Sequence, residues 1–109
     1  MDFVVAIYHA SKRFPKEEIY GLTSQIRRAA VSVPSNIAEG QGGLSKGEFA
    51  QFLGHARGSL AEVNTQIQIA ERLGILTQAE AADLTGKGDE IGRMLSGLLA
   101  ALRKQPTGN

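Results

Sequence analysis

The chain has 109 residues and a mass of 11.6 kDa, the size of one domain, and its 42% apolar content is enough for a core and shows no signature of disorder. It has no cysteine, which excludes a disulfide framework, a thiolate zinc site, an iron–sulfur cluster and a cysteine nucleophile. Twelve Lys and Arg against eleven Asp and Glu leave +1, so net charge implies no polyanionic partner, and no apolar run reaches the roughly 18 residues of a membrane span. Asp2 follows Met1 where a signal peptide would carry a basic residue, and the expected location is the cytoplasm, as a soluble protein.

Phe3, Val4, Ile7, Tyr8, Ser11 and Phe14 recur at three- and four-residue steps, which predicts a short first helix of about 11 residues. Phe14-Pro15 ends it, because a residue before proline is pushed out of the α region. Pro15-Lys16-Glu17-Glu18 reads as a new first turn, and Gly21 as a redirection of the chain. Leu22, Ile26, Ala29, Ala30, Val33 and Ile37 predict a second helix from about Leu22 to Glu39. Pro34 lies inside it, removes the bond to the Ala30 carbonyl and is expected to kink or break it. Gly40-Gln41-Gly42-Gly43 is a glycine-rich connection, and Ser45-Lys46-Gly47-Glu48 has the spacing of a capping box.

The third helix has the strongest pattern, with Phe49, Leu53, Ala56, Leu60, Val63, Ile67 and Ala70 alternating steps of four and three. From Ser45 to Leu73 it would span roughly 43 Å, so a short first helix leaves part of its seam uncovered. Gly74 is the expected cap. Thr77-Gln78-Ala79-Glu80 opens a fourth helix, on which Leu84, Ile91, Leu95, Leu98 and Leu102 form the seam before Pro106 stops it. Gly86, Gly88, Gly92 and Gly97 weaken that helix by about 1 kcal/mol each, so packing must hold it. The expectation is all-α: an antiparallel up-and-down four-helix bundle over residues 1–105 with a short tail at 106–109.

On a helical wheel with Ile26 at 0°, Gln25, Arg28, Ser32, Asn36 and Glu39 fall between about 200° and 280°. They form a polar stripe that is either a solvated face or, being mostly amide, hydroxyl and guanidinium, a surface for directional hydrogen bonds. On the third helix, Gly47, Gly54, Gly58, Ala61 and Thr65 lie near 180° from Ala56. Glycine costs about 1 kcal/mol inside a helix, and the repeat of Gly54 and Gly58 at i, i+4 is met either by drift at tolerant positions or by close approach of another helix. The second reading predicts a homo-oligomer.

No catalytic constellation is recognisable. The run from Gly40 to Gly47 lacks Walker and GxGxxG spacing and a preceding strand. His9 and His55 lie on different segments without HExxH, and Ser32 and Ser35 have no G-x-S-x-G setting. The expectation is a protein that is not an enzyme and uses no cofactor or metal. Arg27 and Arg28 point about 100° apart, Arg27 beside the core seam and Arg28 in the polar stripe. With Lys46 they are the candidate nucleic-acid contacts, useful only if repeated around an oligomer.

The run from Phe14 to Gly40 (FPKEEIYGLTSQIRRAAVSVPSNIAEG), continuing through Ser45, Glu48-Phe49, Phe52-Leu53, Ala56 and Gly58-Ser59 to Leu73-Gly74, resembles the four-helix-bundle proteins encoded within intervening sequences of bacterial large-subunit ribosomal RNA genes. It is also similar to the accessory variability proteins of diversity-generating retroelements. The resemblance implies a non-catalytic homopentameric bundle. It implies RNA or DNA as a ligand, RNA above all, or alternatively a scaffold for a protein partner such as a reverse transcriptase. The signature positions it carries over are Gln25, Arg28, Ser32, Asn36, Glu39 and Gly40. Gly43 stands where the family commonly has arginine, and the first helix is shorter than is usual in the family.

Overall fold

The apolar periodicities become four helices, α1 (Asp2–Ser11), α2 (Ser24–Gln41), α3 (Lys46–Arg72) and α4 (Gln78–Lys104). The computed structural model describes residues 1–43 and 45–104, and among these there is no strand. The expected stop at Pro106 and the tail at 106–109 lie outside the described residues.

Local chemistry sets the helix ends. α1 stops at Ser11, before Phe14-Pro15, as the Arg13 and Phe14 N–H groups close tighter turns on the carbonyls of Ala10 and Ser11. A single 3₁₀ turn at Lys16–Glu18 and a wide turn at Ile19–Thr23 follow, with Gly21 leaving helical geometry at φ −115, ψ −111 to redirect the chain. Ser45 caps α3, its Oγ accepting from the Glu48 N–H at 3.1 Å. At the start of α4 the capping box is reciprocal: the Glu80 N–H donates to Thr77 Oγ1 at 3.1 Å and the Thr77 N–H donates to Glu80 Oε1 at 2.8 Å. α3 ends with Gly74 at φ 74, Ile75 N–H on Ala70 O and Gly74 N–H on Glu71 O, the paired bonds of a Schellman motif that needs a left-handed residue at that point.

α2 runs from Ser24 to Gln41 through Pro34, so of the expected kink or break the break does not occur. Contacts on both sides of the proline hold the helix against α3: Ser32 before it, and Gly40 after it, beneath Phe49 and Phe52. The same pairs show α2 and α3 antiparallel. On α3, Asn64 lies by Gly88 and Leu60 reaches on to Gly92, while Phe3 lies by Gly88 and Arg13 pairs with Glu80 at 2.6 Å, so α4 runs antiparallel to both α3 and α1.

Each helix contributes to one core, in which Ile7, Ile26, Val33, Leu53, Val63, Ile67 and Leu95 are the largest fully enclosed side chains. Burying one such side chain stabilises by about 1.5–3 kcal/mol. The molecule measures 52 × 24 × 19 Å. α1, with 10 residues, covers only the part of the 27-residue α3 and α4 lying between the levels of Gly88 and Glu80. Beyond it the bundle has three helices, and Ile37, Phe49, Leu99 and Leu102 are only partly buried there.

Candidate functional site

The signature stripe of α2 divides into two kinds of position. Ser32 and Asn36 are half-buried: Ser32 meets α3, its Oγ 2.9 Å from Ser59 Oγ, and Asn36 Nδ2 donates to Ser32 O at 2.8 Å and to Ser32 Oγ at 2.9 Å. Gly40 is buried because a Cβ there would lie 2.8 Å from Phe49 Cδ1 and 3.0 Å from Phe52 Cβ, closer than real side chains pack. Ser32 and Gly40 thus seal α2 onto α3, and Asn36 braces Ser32. Gln25, Arg28 and Glu39 remain exposed. Ser59, the partner of Ser32, was not among the expected site residues, and only a small hydroxyl at the matching antiparallel level marks it.

The small-residue face of α3 points outward. A Cβ added at Gly54 or Gly58 would meet nothing within 4 Å, and Gly47 has only Ser45 Oγ at 3.8 Å. Ala61 and Thr65 are exposed on the same face, and Val31, Ser35 and Ala38 are exposed on α2. Packing within the chain therefore gives no reason for Gly54 and Gly58, in contrast to Gly40.

The three basic candidates are not brought together. Arg27 is half-buried and turned to α1, where its Nε donates to Ser11 Oγ at 2.7 Å, its NH2 donates to Tyr8 O at 3.4 Å, and its guanidinium lies 4.7 Å from the Tyr8 ring centre. Arg28 is exposed, with one long bond of 3.5 Å to Ser24 Oγ. Lys46 opens α3 at the other end of α2, roughly 20 Å along the helix from Arg28. His9 and His55 are exposed on α1 and α3, and no group of three or more His, Asp or Glu among the described residues could hold a metal ion.

Two electrostatic features escaped the sequence. Glu80 has its carboxyl held below the ordinary 4.5, first by the Thr77 backbone N–H, then by the Thr77 hydroxyl and the Arg13 guanidinium. Thr23 Oγ1, Asn64 Oδ1 and Gln66 Oε1 are buried without a hydrogen-bond partner. Thr23 and Gln66 share one level of the α2–α3 contact, by the register that Ser32 and Ser59 set. No helix among the described residues is long and apolar enough to cross a membrane.

No curated protein matches the chain. Among solved structures it is similar to a protein of unknown function from the S23 ribosomal protein family of Bacteroides thetaiotaomicron, with 21% identity, a TM-score of 0.84, and coverage of 90% of this chain and 92% of that one. At that identity the likeness concerns the fold. The model of the 23S rRNA-intervening sequence proteins matches residues 1–97, almost the whole bundle, and the chain belongs to that family.

Proposed function

We propose that this chain is a non-catalytic homo-oligomeric bundle, five copies being the favoured number, that binds nucleic acid, RNA above all, through basic residues repeated around the assembly. The observation that carries the oligomer is the outward face of α3, where Gly54 and Gly58 weaken the helix and contact nothing in their own chain. A helix of another copy can approach such a face closely. Family membership supports an RNA-linked role, and Arg28, exposed and held by one long bond, is the best placed of the three basic candidates. Arg27 keeps N–H groups to spare beside its contacts to Tyr8 and Ser11, and Lys46 adds charge at the far end of α2.

Light scattering behind a sizing column should give a mass about five times 11.6 kDa at micromolar concentration. A single-chain mass across the dilution range overturns the assembly. Gly58→Leu should disperse it while helicity stays high, because the added side chain blocks close backbone approach. A ring that engages four or five phosphates should bind with a log–log salt slope between roughly −3 and −4.5, and Arg28→Gln should make that slope shallower. The engagement of Arg27 within the bundle favours a second reading, a scaffold for a protein partner such as a reverse transcriptase. Absence of RNA binding at about 50 mM salt by an intact oligomer selects it.

A further inference from the structure

A basic surface outside the expected site lies where α3 meets α4. Arg57 and Arg93, both exposed, line one groove of ≈ 460 Å³ together with Gly88, Asp89, Gly92 and Ser96. Neither arginine makes an ion pair or hydrogen bond among the described residues. Asp89 stands one turn before Arg93, at a spacing that allows a helix ion pair, yet the two are not paired. Two guanidinium groups on one groove repel each other, and an anion between them reverses that balance.

The floor of the groove is made of glycine. Gly88 sits in tight packing, since a Cβ there would lie 3.3 Å from Asn64 Oδ1 and from Leu60 Cδ1, so those side chains would have to shift to admit one. Gly92 is less crowded, because its Cβ would meet only Leu60 Cδ2 at 3.4 Å, and alanine would favour the helix. Both glycines line the groove, their missing Cβ positions turned toward Leu60. Arg103, exposed and seven residues after Ser96, continues the basic line about two turns further on the same face of α4. The α2–α3 side is different: there Arg28 shares its face with Glu39 and, by the register of Ser32 and Ser59, is level with Glu62.

We propose that the α3–α4 groove binds the phosphodiester backbone of a single nucleic-acid strand, with Arg57 and Arg93 taking phosphates from opposite walls and Arg103 extending the track. The guanidinium fork suits phosphate oxygens through paired N–H donors, and the groove has no aromatic side chain to stack on bases, so sequence preference is slight. The inference rests on the nucleic-acid reading above and supplies it with a contact surface.

The test is fluorescence anisotropy of the full chain with a labelled mixed-sequence RNA of about 20 nucleotides at about 50 mM salt, with assembly mass measured beside each titration. Arg57→Gln/Arg93→Gln should weaken binding at least about tenfold and make the salt slope shallower by about 1.4, at unchanged mass and helicity. Asp89→Asn should tighten binding about twofold or more, an effect a purely structural role would not produce. Wild-type affinity in the double variant overturns the groove while leaving the RNA reading intact. A changed mass in that variant overturns it by making the groove a contact between copies. Binding that needs a 5′-phosphate on the RNA overturns the backbone assignment in favour of a terminal phosphate. No binding by the wild type removes the nucleic-acid reading itself.

Discussion

Arg27 fastens the short α1 to α2 through a bond to Ser11 Oγ, a longer one to the Tyr8 carbonyl and its position over the Tyr8 ring. A hydrogen bond contributes about 1 kcal/mol net and a partly exposed cation–π contact about 0.5–1, so Arg27→Ala should lower the unfolding free energy by about 1–2 kcal/mol in urea titration. Arg28→Ala, with only the 3.5 Å contact to lose, should stay within about 0.5 kcal/mol. The adjacent pair thus splits into a fastening residue and a surface residue. Glu80 gives a pH prediction of definite sign. Its carboxyl is depressed below 4.5 by the Thr77 N–H, the Thr77 hydroxyl and Arg13, so its contribution is fully present above 4.5 and is lost as pH falls through the lowered value. Urea midpoints of the wild type and Glu80→Gln should differ at neutral pH and converge as the solution is acidified below 4.5. A gap that persists at low pH would mean the ionised carboxylate is not what holds the α4 cap.

At the scale of the helix, glycines with the same intrinsic cost have opposite meanings. Gly40→Ala drives a Cβ to 2.8 Å from the Phe49 ring, and overpacking of this kind costs typically about 1–3 kcal/mol even though alanine is the better helix former. Gly97→Ala meets nothing within 4 Å and should stabilise by about 1 kcal/mol, a difference that thermal melts of the two variants read directly. The local devices were legible in the sequence, because each needs residues only a few positions apart: Ser45 with Glu48, Thr77 with Glu80, and Gly74 after the α3 seam. Pairs that depend on which level of one helix meets which level of the next were not. The wheel of α2 placed Ser32 and Asn36 away from the core, and only the antiparallel register sets Ser32, to which Asn36 donates, against Ser59. The separate register of α3 on α4 brings Arg57 and Arg93 to one groove, two residues without a motif between them. The helix is unbroken at Pro34 for a related reason, since helix propensity ignores the packing against α3 that carries α2 through it.

The whole molecule is a bundle with one corner half empty. From Phe3 to Phe14 the α1 segment closes the core over Ile26, Val63, Ile67 and Leu84, and there four helices enclose the apolar side chains. Past the level of Gly88 only α2, α3 and α4 remain, with Leu53, Ala56 and Leu95 still enclosed but Ile37, Leu99 and Leu102 partly open and Leu98 exposed. Local opening free energy follows the density of buried apolar contacts, so amide exchange should be graded along α3. Amides around Val63 and Ile67 should exchange through global unfolding, and those around Phe49 and Phe52 at least about tenfold faster. Assembly through the Gly54 and Gly58 face would slow exchange in the middle of α3 as protein concentration rises, while Leu99 and Leu102, on the side where α1 runs out, would keep their rates. Exchange measured at two concentrations therefore separates the two surfaces: concentration-dependent protection confined to α4 would place the contact between copies at the open corner and take it away from the glycine face.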